Sequence, residues 1–289
     1  MATDAGGGRR AAVLGSPISH SLSPALHRAA YTALGLDWRY DAIDVSAGEL
    51  SEFLAGLDGS WRGLSLTMPL KEEACELGES TVDITPLAAA VRSVNTLVAD
   101  GPGRWLGENT DVPGIVRALH EKGFVDGPGT AIVVGSGATA RSAIAACARM
   151  GLQGVHIMAR RLSAAAELGS VIEAFGMAPL APLALPTDEG PSPDEAWRDQ
   201  VLAARLWCST LPADAAEPLA RVLARLPLDE PSLVDATYHP WPAPMARAWP
   251  GPVIASGRDM LLWQAVEQVR LMTGQRPPVD RMRAALESA

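Results

Sequence analysis

The junction at residues 131–140 constrains the fold more than any other stretch. Ala131-Ile132-Val133-Val134 is a short apolar run that enters Gly135-Ser136-Gly137-Ala138-Thr139-Ala140, and a helix of small residues follows to Met150. In Gly135-x-Gly137-x-x-Ala140 the first glycine permits a tight turn, and the second lets a pyrophosphate approach the backbone. The small third residue lets helix and strand pack closely. Phosphates at such a turn lie on the helix N-terminus, where unpaired N–H groups and the dipole favour anions. The pattern predicts a dinucleotide site formed by Gly135, Ser136, Gly137, Ala138, Thr139 and Ala140. The alternative is a tight strand-to-helix turn with no ligand.

The same alternation recurs along the chain. Arg10 to Gly15 reads as a first strand, with Pro24 opening a helix to about Leu34 and Ser23 as its expected cap. Trp38 to Val45 alternates as a strand, Glu49 to Leu57 as a helix, and Gly63 to Thr67 as the next strand. A short helix is expected over Thr85 to Arg92. Two extended pieces, Asn95 to Ala99 and Arg104 to Leu106, flank the turn Asp100-Gly101-Pro102-Gly103. A helix starts near Pro113. Beyond the glycine turn, Val155 to Met158 is a strand and Ser163 to Phe175 a helix, strand signals return at Leu206 and Leu233, and helices over Asp259 to Met272 and Val279 to Leu286 close the chain. Strands alternating with helices predict an α/β fold with a parallel sheet covered on both faces. Residues 186–195 are polar and proline-rich and read as a surface loop. Met1 to Gly8 reads as a loose tail without the apolar core of a secretion signal.

Composition excludes several classes. No apolar run approaches the roughly 20 residues of a membrane span, so a soluble protein without membrane partners is expected. The net charge of −9 argues against a nucleic-acid partner. Cys75, Cys147 and Cys208 are odd in number and far apart in sequence, as expected of free buried thiols in a reducing cytoplasm. The histidines lack metal-ligand spacing, so no metal is indicated.

Cofactor choice is read one strand after the glycine turn. A site for NAD wants an acidic residue at the end of that strand to bond the ribose hydroxyls. Ala159-Arg160-Arg161 stands there, with no acid before Glu167. Two guanidiniums suit a 2′-phosphate, so NADP is the expected cofactor. The alternative for either arginine singly is a solvated strand end.

Lys71 stands out by rarity. Lys and Arg total 24 and lysine occurs only at Lys71 and Lys122, which leaves 24 − 2 = 22 arginines. A chain so biased towards arginine is expected to keep lysine where a tunable amine matters. Lys122 lies on the polar tail of a helix, whereas Lys71 follows a strand and a proline in Ser65-Leu66-Thr67-Met68-Pro69-Leu70-Lys71. The only asparagines, Asn95 and Asn109, lie in two further motif-like stretches. Ser21 and Ser23 sit between the first strand and the first helix. They either grip a small-molecule carboxylate or simply cap the helix.

The segments Gly15 to Pro24, Thr67 to Lys71, Val94-Asn95-Thr96, Gly107 to Asp111, Gly135 to Ala138 and Asp235 to Pro240 together resemble the shikimate dehydrogenase family. So do Gly257, Met260-Leu261 and Gln264-Ala265. The matches occur in family order over nearly the whole chain. The resemblance implies two α/β domains: an N-terminal substrate-binding domain with a mainly parallel sheet (1–110, completed by helices in 257–289) and a Rossmann-like NADP-binding domain (111–256). It implies a cytoplasmic monomer or homodimer that reversibly reduces 3-dehydroshikimate to shikimate with NADPH, within aromatic amino-acid biosynthesis. Ser21 and Ser23 would hold the substrate carboxylate; Thr67, Asn95 and Gln264 would bind ring hydroxyls; Tyr238 would line the pocket. Lys71 and Asp111 would form the catalytic pair, in a cleft between the halves. Gly135 to Ala140, Arg160, Arg161 and Gly257 would hold NADP. Three residues depart from the family pattern: Ser65 replaces the usual asparagine, and Ala159 and Arg161 replace members of an Asn-Arg-Thr trio.

At Lys71 burial would lower the amine pKa from about 10.4, while a carboxylate at Asp111 would raise it. Proton exchange near neutral pH needs the first effect to be substantial. Two other readings compete, a quinate/shikimate dehydrogenase of broader specificity and a non-catalytic shikimate-binding regulatory homologue. The second would be free to lose Lys71 or Asp111, and both are present.

Overall fold

The computed structural model describes residues 8–188, 190 and 193–289. The expected N-terminal tail, apart from Gly8, and part of the 186–195 loop lie outside the described residues. The chain resolves into two compact units. One comprises the chain up to Thr110 together with Gln264–Ala289, and the other comprises Asp111–Trp263.

The first unit contains β1 (Arg9–Gly15), α1 (Ser23–Ala33), β2 (Trp38–Asp44), α2 (Leu50–Ala55), β3 (Trp61–Leu66), α3 (Leu70–Glu76), β4 (Val82–Ile84), α4 (Pro86–Val91), β5 (Thr96–Ala99) and β6 (Trp105–Glu108). Its six strands run in the order β2-β1-β3-β5-β6-β4. β1 pairs parallel with β2 and β3, β5 is antiparallel to both its neighbours, and β4 returns parallel to β6. The sequence explains the positions. β1 carries Ala11-Ala12-Val13-Leu14, buried throughout, as a strand covered on both faces must be. β2 alternates and lies at the sheet edge. On one face Ala12, Leu14, Leu64 and Leu66 pack with Leu50 and Leu54 of α2 and Leu70 and Ala74 of α3. The expected hairpin forms, closed by Asp100 N–H donating to the Arg104 carbonyl at 3.0 Å. Thr85 caps α4 by accepting the Ala88 N–H at 3.5 Å.

The second unit contains α5 (Asp111–Glu121), β7 (Thr130–Val134), α6 (Ala138–Arg149), β8 (Gly154–Ala159), α7 (Ser163–Glu167), α8 (Gly169–Ala174), β9 (Ala178–Pro179), β10 (Leu183–Ala184), α9 (Glu195–Ala203), β11 (Leu206–Ser209), α10 (Ala213–Leu223), β12 (Ser232–Asp235), α11 (Pro244–Ala248) and β13 (Ile254–Ala255). Its strands are ordered β10-β8-β7-β11-β12-β13, with β9 also pairing β8, and every pairing is parallel. Ile132, Val134 and Met158 pack on one face with Trp197, Trp207 and Trp249. The last two rings meet edge to face at 5.6 Å. Where one helix was expected over 163–175, α7 and α8 are separated at Leu168, with Gly169, a poor helix former, opening the second. The chain closes with α12 (Gly257–Thr273), whose residues from Gln264 onward belong to the first unit, and with α13 (Val279–Glu287), which packs on α1.

Candidate active site

In the first unit the candidate ligands gather at one edge of the sheet. β1 and β3 are parallel in register Leu14↔Leu66, so the loop after Gly15 and the turn after Leu66 emerge at the same edge. β5 runs the other way in register Ser65↔Thr96, which brings Asn95, just before it, to that edge as well. Ser21 and Ser23 therefore share it with Thr67, Lys71 and Asn95. Gly15 is required here: a Cβ on it would fall 2.4 Å from Thr67 Cγ2 and 2.8 Å from the Met68 carbonyl. Thr67 N–H donates to the Leu14 carbonyl at 2.9 Å, and Leu70 N–H donates back to the Thr67 carbonyl at 2.9 Å, so the turn delivers Lys71 as the second residue of α3. Lys71 is half-buried.

Ser23 does not cap α1. The helix begins at Ser23 itself, with Leu22 at the cap position and no side-chain cap bond. Instead the Ser23 N–H donates to Ser21 Oγ at 3.4 Å. That turn holds the two hydroxyls together, Ser21 half-buried and Ser23 buried.

Asn95 is buried and its amide is oriented. Its Oδ1 accepts the Thr110 N–H at 2.7 Å and the Thr96 hydroxyl at 2.9 Å, while Nδ2 donates to Thr110 Oγ1 at 3.0 Å. A backbone N–H can only donate, so Thr110 fixes which end of the amide is oxygen. Asn109 is buried beside it, donating from Nδ2 to the Ser93 carbonyl at 2.9 Å.

Behind Asn95 lies a buried polar network that sequence reasoning missed. Gln268 donates from Nε2 to the Asn95 carbonyl at 3.3 Å and to Thr96 Oγ1 at 3.0 Å. Its Oε1 accepts the Ser65 hydroxyl at 2.8 Å and lies 3.1 Å from His27 Nε2. Ser65 in turn accepts from the Tyr40 hydroxyl at 2.6 Å, and Tyr40 also meets the Ser23 side chain. The Asn95 carbonyl can only accept, so it fixes the Gln268 amide. His27 must then carry its proton on Nε2, leaving Nδ1 to accept from the Tyr31 hydroxyl at 3.3 Å. Burial drives the His27 pKa down to about 3, only partly offset by the Gln268 hydrogen bond, so the ring is neutral. It stacks on Tyr40 at 4.0 Å. The departure at Ser65 thus faces this network. Gln264, the expected ligand, lies one turn before Gln268 on α12 and is also buried. Two glutamines four residues apart on one helix face were the available signal.

In the second unit the expected cofactor residues follow the C-terminal ends of parallel strands, where ligands bind in such sheets. Gly135 has φ +114°, and a Cβ there would fall 2.3 Å from Thr210 Oγ1. Gly137 caps α6 without any side-chain cap bond, and a Cβ on it would meet nothing within 4 Å. The turn thus leaves open space in front of the first N–H groups of a 12-residue helix, as a bound phosphate requires. Arg160 and Arg161 are exposed directly after β8. These residues fit NADP. Gly257 is needed for close approach, since its Cβ would fall 2.3 Å from the Ala236 carbonyl. Tyr238 is half-buried after β12. Asp235, at the end of that strand, accepts the Thr237 N–H at 3.0 Å, and burial raises its pKa despite that bond. Asp111 is buried in the first turn of α5.

Residues 13–97 match the model of the shikimate dehydrogenase substrate binding domain, and residues 257–287 match that of the shikimate 5'-dehydrogenase C-terminal domain. A curated relative, the shikimate dehydrogenase (NADP(+)) of Natronomonas pharaonis, is 33% identical over 283 residues, covering 96% of this chain and 98% of its own. The crystal structure of Mycobacterium tuberculosis shikimate dehydrogenase superposes with a TM-score of 0.81 at 38% identity, over 97% of this chain and 99% of that one. A shikimate 5-dehydrogenase from Thermus thermophilus, in complex with NADP(H) and shikimate, gives 0.76 at 30% identity, over 97% and 99%.

Proposed function

Because this chain belongs to the shikimate dehydrogenase family, we propose that it reversibly reduces 3-dehydroshikimate to shikimate with NADPH. The observation that carries the reading is the sheet edge of the first unit, where two serines, a threonine, an asparagine and a lysine converge with the face of α12 that bears Gln264. No arginine is among them, so the carboxylate of the ligand is held by the Ser21 and Ser23 hydroxyls. Thr67, Asn95 and Gln264 take the ring hydroxyls, and Tyr238 lines the pocket.

NADP is held by the Gly135 to Ala140 turn and by Arg160 and Arg161, with Gly257 keeping the backbone close; when bound as NADPH it supplies hydride to the carbonyl carbon. The chain's own task is the oxygen. As the carbonyl is reduced its oxygen gains negative charge, which the Lys71 ammonium stabilises and protonates. In the oxidative direction neutral Lys71 takes the proton from the hydroxyl. Asp111 completes the catalytic pair with Lys71.

The test is the nicotinamide absorbance with purified protein, offering shikimate or quinate with NADP or NAD. Rapid turnover with shikimate and NADP is expected. Equal turnover of quinate would move the assignment to the broader relatives, and binding without any absorbance change would make the protein a regulator.

A further inference from the structure

We propose that Tyr40 and Ser65 are positioning residues that set the strength of the Ser23 grip on the ligand's carboxylate: the buried network turns the Ser23 proton inward, so the carboxylate gains that hydrogen bond only by breaking another. The inference rests on the assignment of Ser23 to the carboxylate. Each hydroxyl of the network has one proton to give, and the direction of giving is fixed from the far end. The Asn95 carbonyl can only accept, so Gln268 turns Nε2 towards it and Oε1 towards Ser65. Oε1 can only accept as well, and the Ser65 proton is spent on it at 2.8 Å. Ser65 Oγ is left to accept from the Tyr40 hydroxyl at 2.6 Å. Burial pushes the Tyr40 pKa up, so the phenol keeps its single proton and gives it to Ser65. Towards Ser23, its other hydrogen-bond partner, Tyr40 therefore offers only a lone pair, and Ser23 is the donor.

The two serines thereby differ. Ser21 Oγ accepts the Ser23 N–H at 3.4 Å, a bond that uses none of its own donor capacity. Ser23 has its one donor committed to Tyr40. A carboxylate is the stronger acceptor, because hydrogen bonds to an ionised group are about twice as strong as neutral ones, so it wins the Ser23 proton. What Ser23 contributes to binding is only the difference between the two bonds, since the Tyr40 oxygen then loses its donor in a fully buried place. Removing the competitor should therefore tighten binding. Tyr40 and Ser65 act through Ser23 alone, so their influence is on affinity and not on the chemical step.

Substrate affinity in a double-mutant cycle tests this. Tyr40→Phe removes the competing acceptor and keeps a ring to stack on His27. Ser65→Ala removes the group that takes the Tyr40 proton, which lets the phenol donate to Ser23 instead. Each should lower the KM for shikimate about three- to tenfold, the worth of one neutral hydrogen bond. The kcat should stay within a few-fold and the KM for NADP should not move. The melting temperature should fall in both, since each loses buried hydrogen bonds, and tighter binding by a less stable protein is not what a damaged fold produces. In a Ser23→Ala background neither substitution should change the shikimate KM. A shikimate KM that stays put or rises in either folded variant would overturn the proposal. So would a gain that persists in full without the Ser23 hydroxyl, since Tyr40 and Ser65 would then act elsewhere. If Ser23→Ala itself leaves the shikimate KM unchanged, the assignment of Ser23 falls, and this inference with it.

Discussion

Arginine could replace Lys71 as a charge but not as a carrier of a proton. Lys71→Ala should therefore lower kcat by about 10²–10⁴-fold, and Lys71→Arg by almost as much. The KM for NADP should hold in both, because the glycine turn belongs to the other unit. Steady-state kinetics of the two variants decide the matter; near-normal turnover in either would remove Lys71 from the proton transfer. His27 makes a different prediction, about stability. Its folded pKa is about 3 against 6.5 in the open chain. Between those values the unfolded imidazole binds a proton that the folded one refuses, so stability is full above about pH 6.5 and is lost as pH falls towards 3. One such group costs about 1.4 kcal/mol per pH unit across the window. Urea unfolding of wild type and His27→Gln from pH 7.5 to 4.5 should show the wild-type advantage shrinking on acidification. A constant difference would mean that His27 is not held neutral in the folded protein.

At the scale of elements, the β7–α6 turn offers a test that separates a folding glycine from one proposed to bind. Gly135 combines φ +114° with a Cβ position 2.3 Å from Thr210 Oγ1, which itself donates to the Val134 carbonyl at 2.8 Å. Gly135→Ala should destabilise the protein by about 2–4 kcal/mol, the sum of left-handed strain and overpacking. Gly137 has φ −83°, which any residue adopts, and open space in front of it. Gly137→Ala should leave the melting temperature unchanged while raising the KM for NADP, because the added methyl occupies the phosphate's approach. Thermal melts beside cofactor titrations read both, and equal effects of the two substitutions would refute the division. The cysteines also divide by element. Cys147 on α6 and Cys208 on β11, 61 residues apart in sequence, lie with sulfurs 3.8 Å apart and fully buried, whereas Cys75 on α3 is only half-buried, against the expectation that all three are buried. The Cys147 hydrogen bond and burial raise the Cys208 pKa well above the usual thiol range. Folded protein at pH 8 should thus yield one fast-reacting thiol to an aromatic disulfide reagent and two more only in denaturant, and Cys75→Ser should abolish the fast phase.

For the whole molecule, legibility followed the range of the interactions. The glycine turn, the serine loop and the strand leading to Lys71 announce themselves because each needs particular residues within a few positions. β4, β9 and β10 are two or three residues long, too short for any period to show, and α9 to α11 hide among prolines and alanines. The Gln268 network was invisible for another reason: its members are separated by up to 241 positions, and a glutamine on a helix looks solvent-facing until α12 is seen packed on β3 and β5. The same distance in sequence makes the first unit depend on the chain's end. Met272 fills the space over Gly63, where a Cβ would fall 2.4 Å from its side chain, and α13 covers α1. Among the described residues of the second unit, strands β7 to β13 pair with one another and the tryptophan core is built from its own side chains. Residues 111–263 expressed alone should accordingly unfold cooperatively and bind 2′,5′-ADP through α6, Arg160 and Arg161. A chain ending at residue 256 removes α12 and α13, leaving Ser65, Asn95 and His27 without Gln268, and should lose any thermal shift with shikimate. A truncated chain that kept that shift would show that the first unit folds and binds its ligand without the terminal helices.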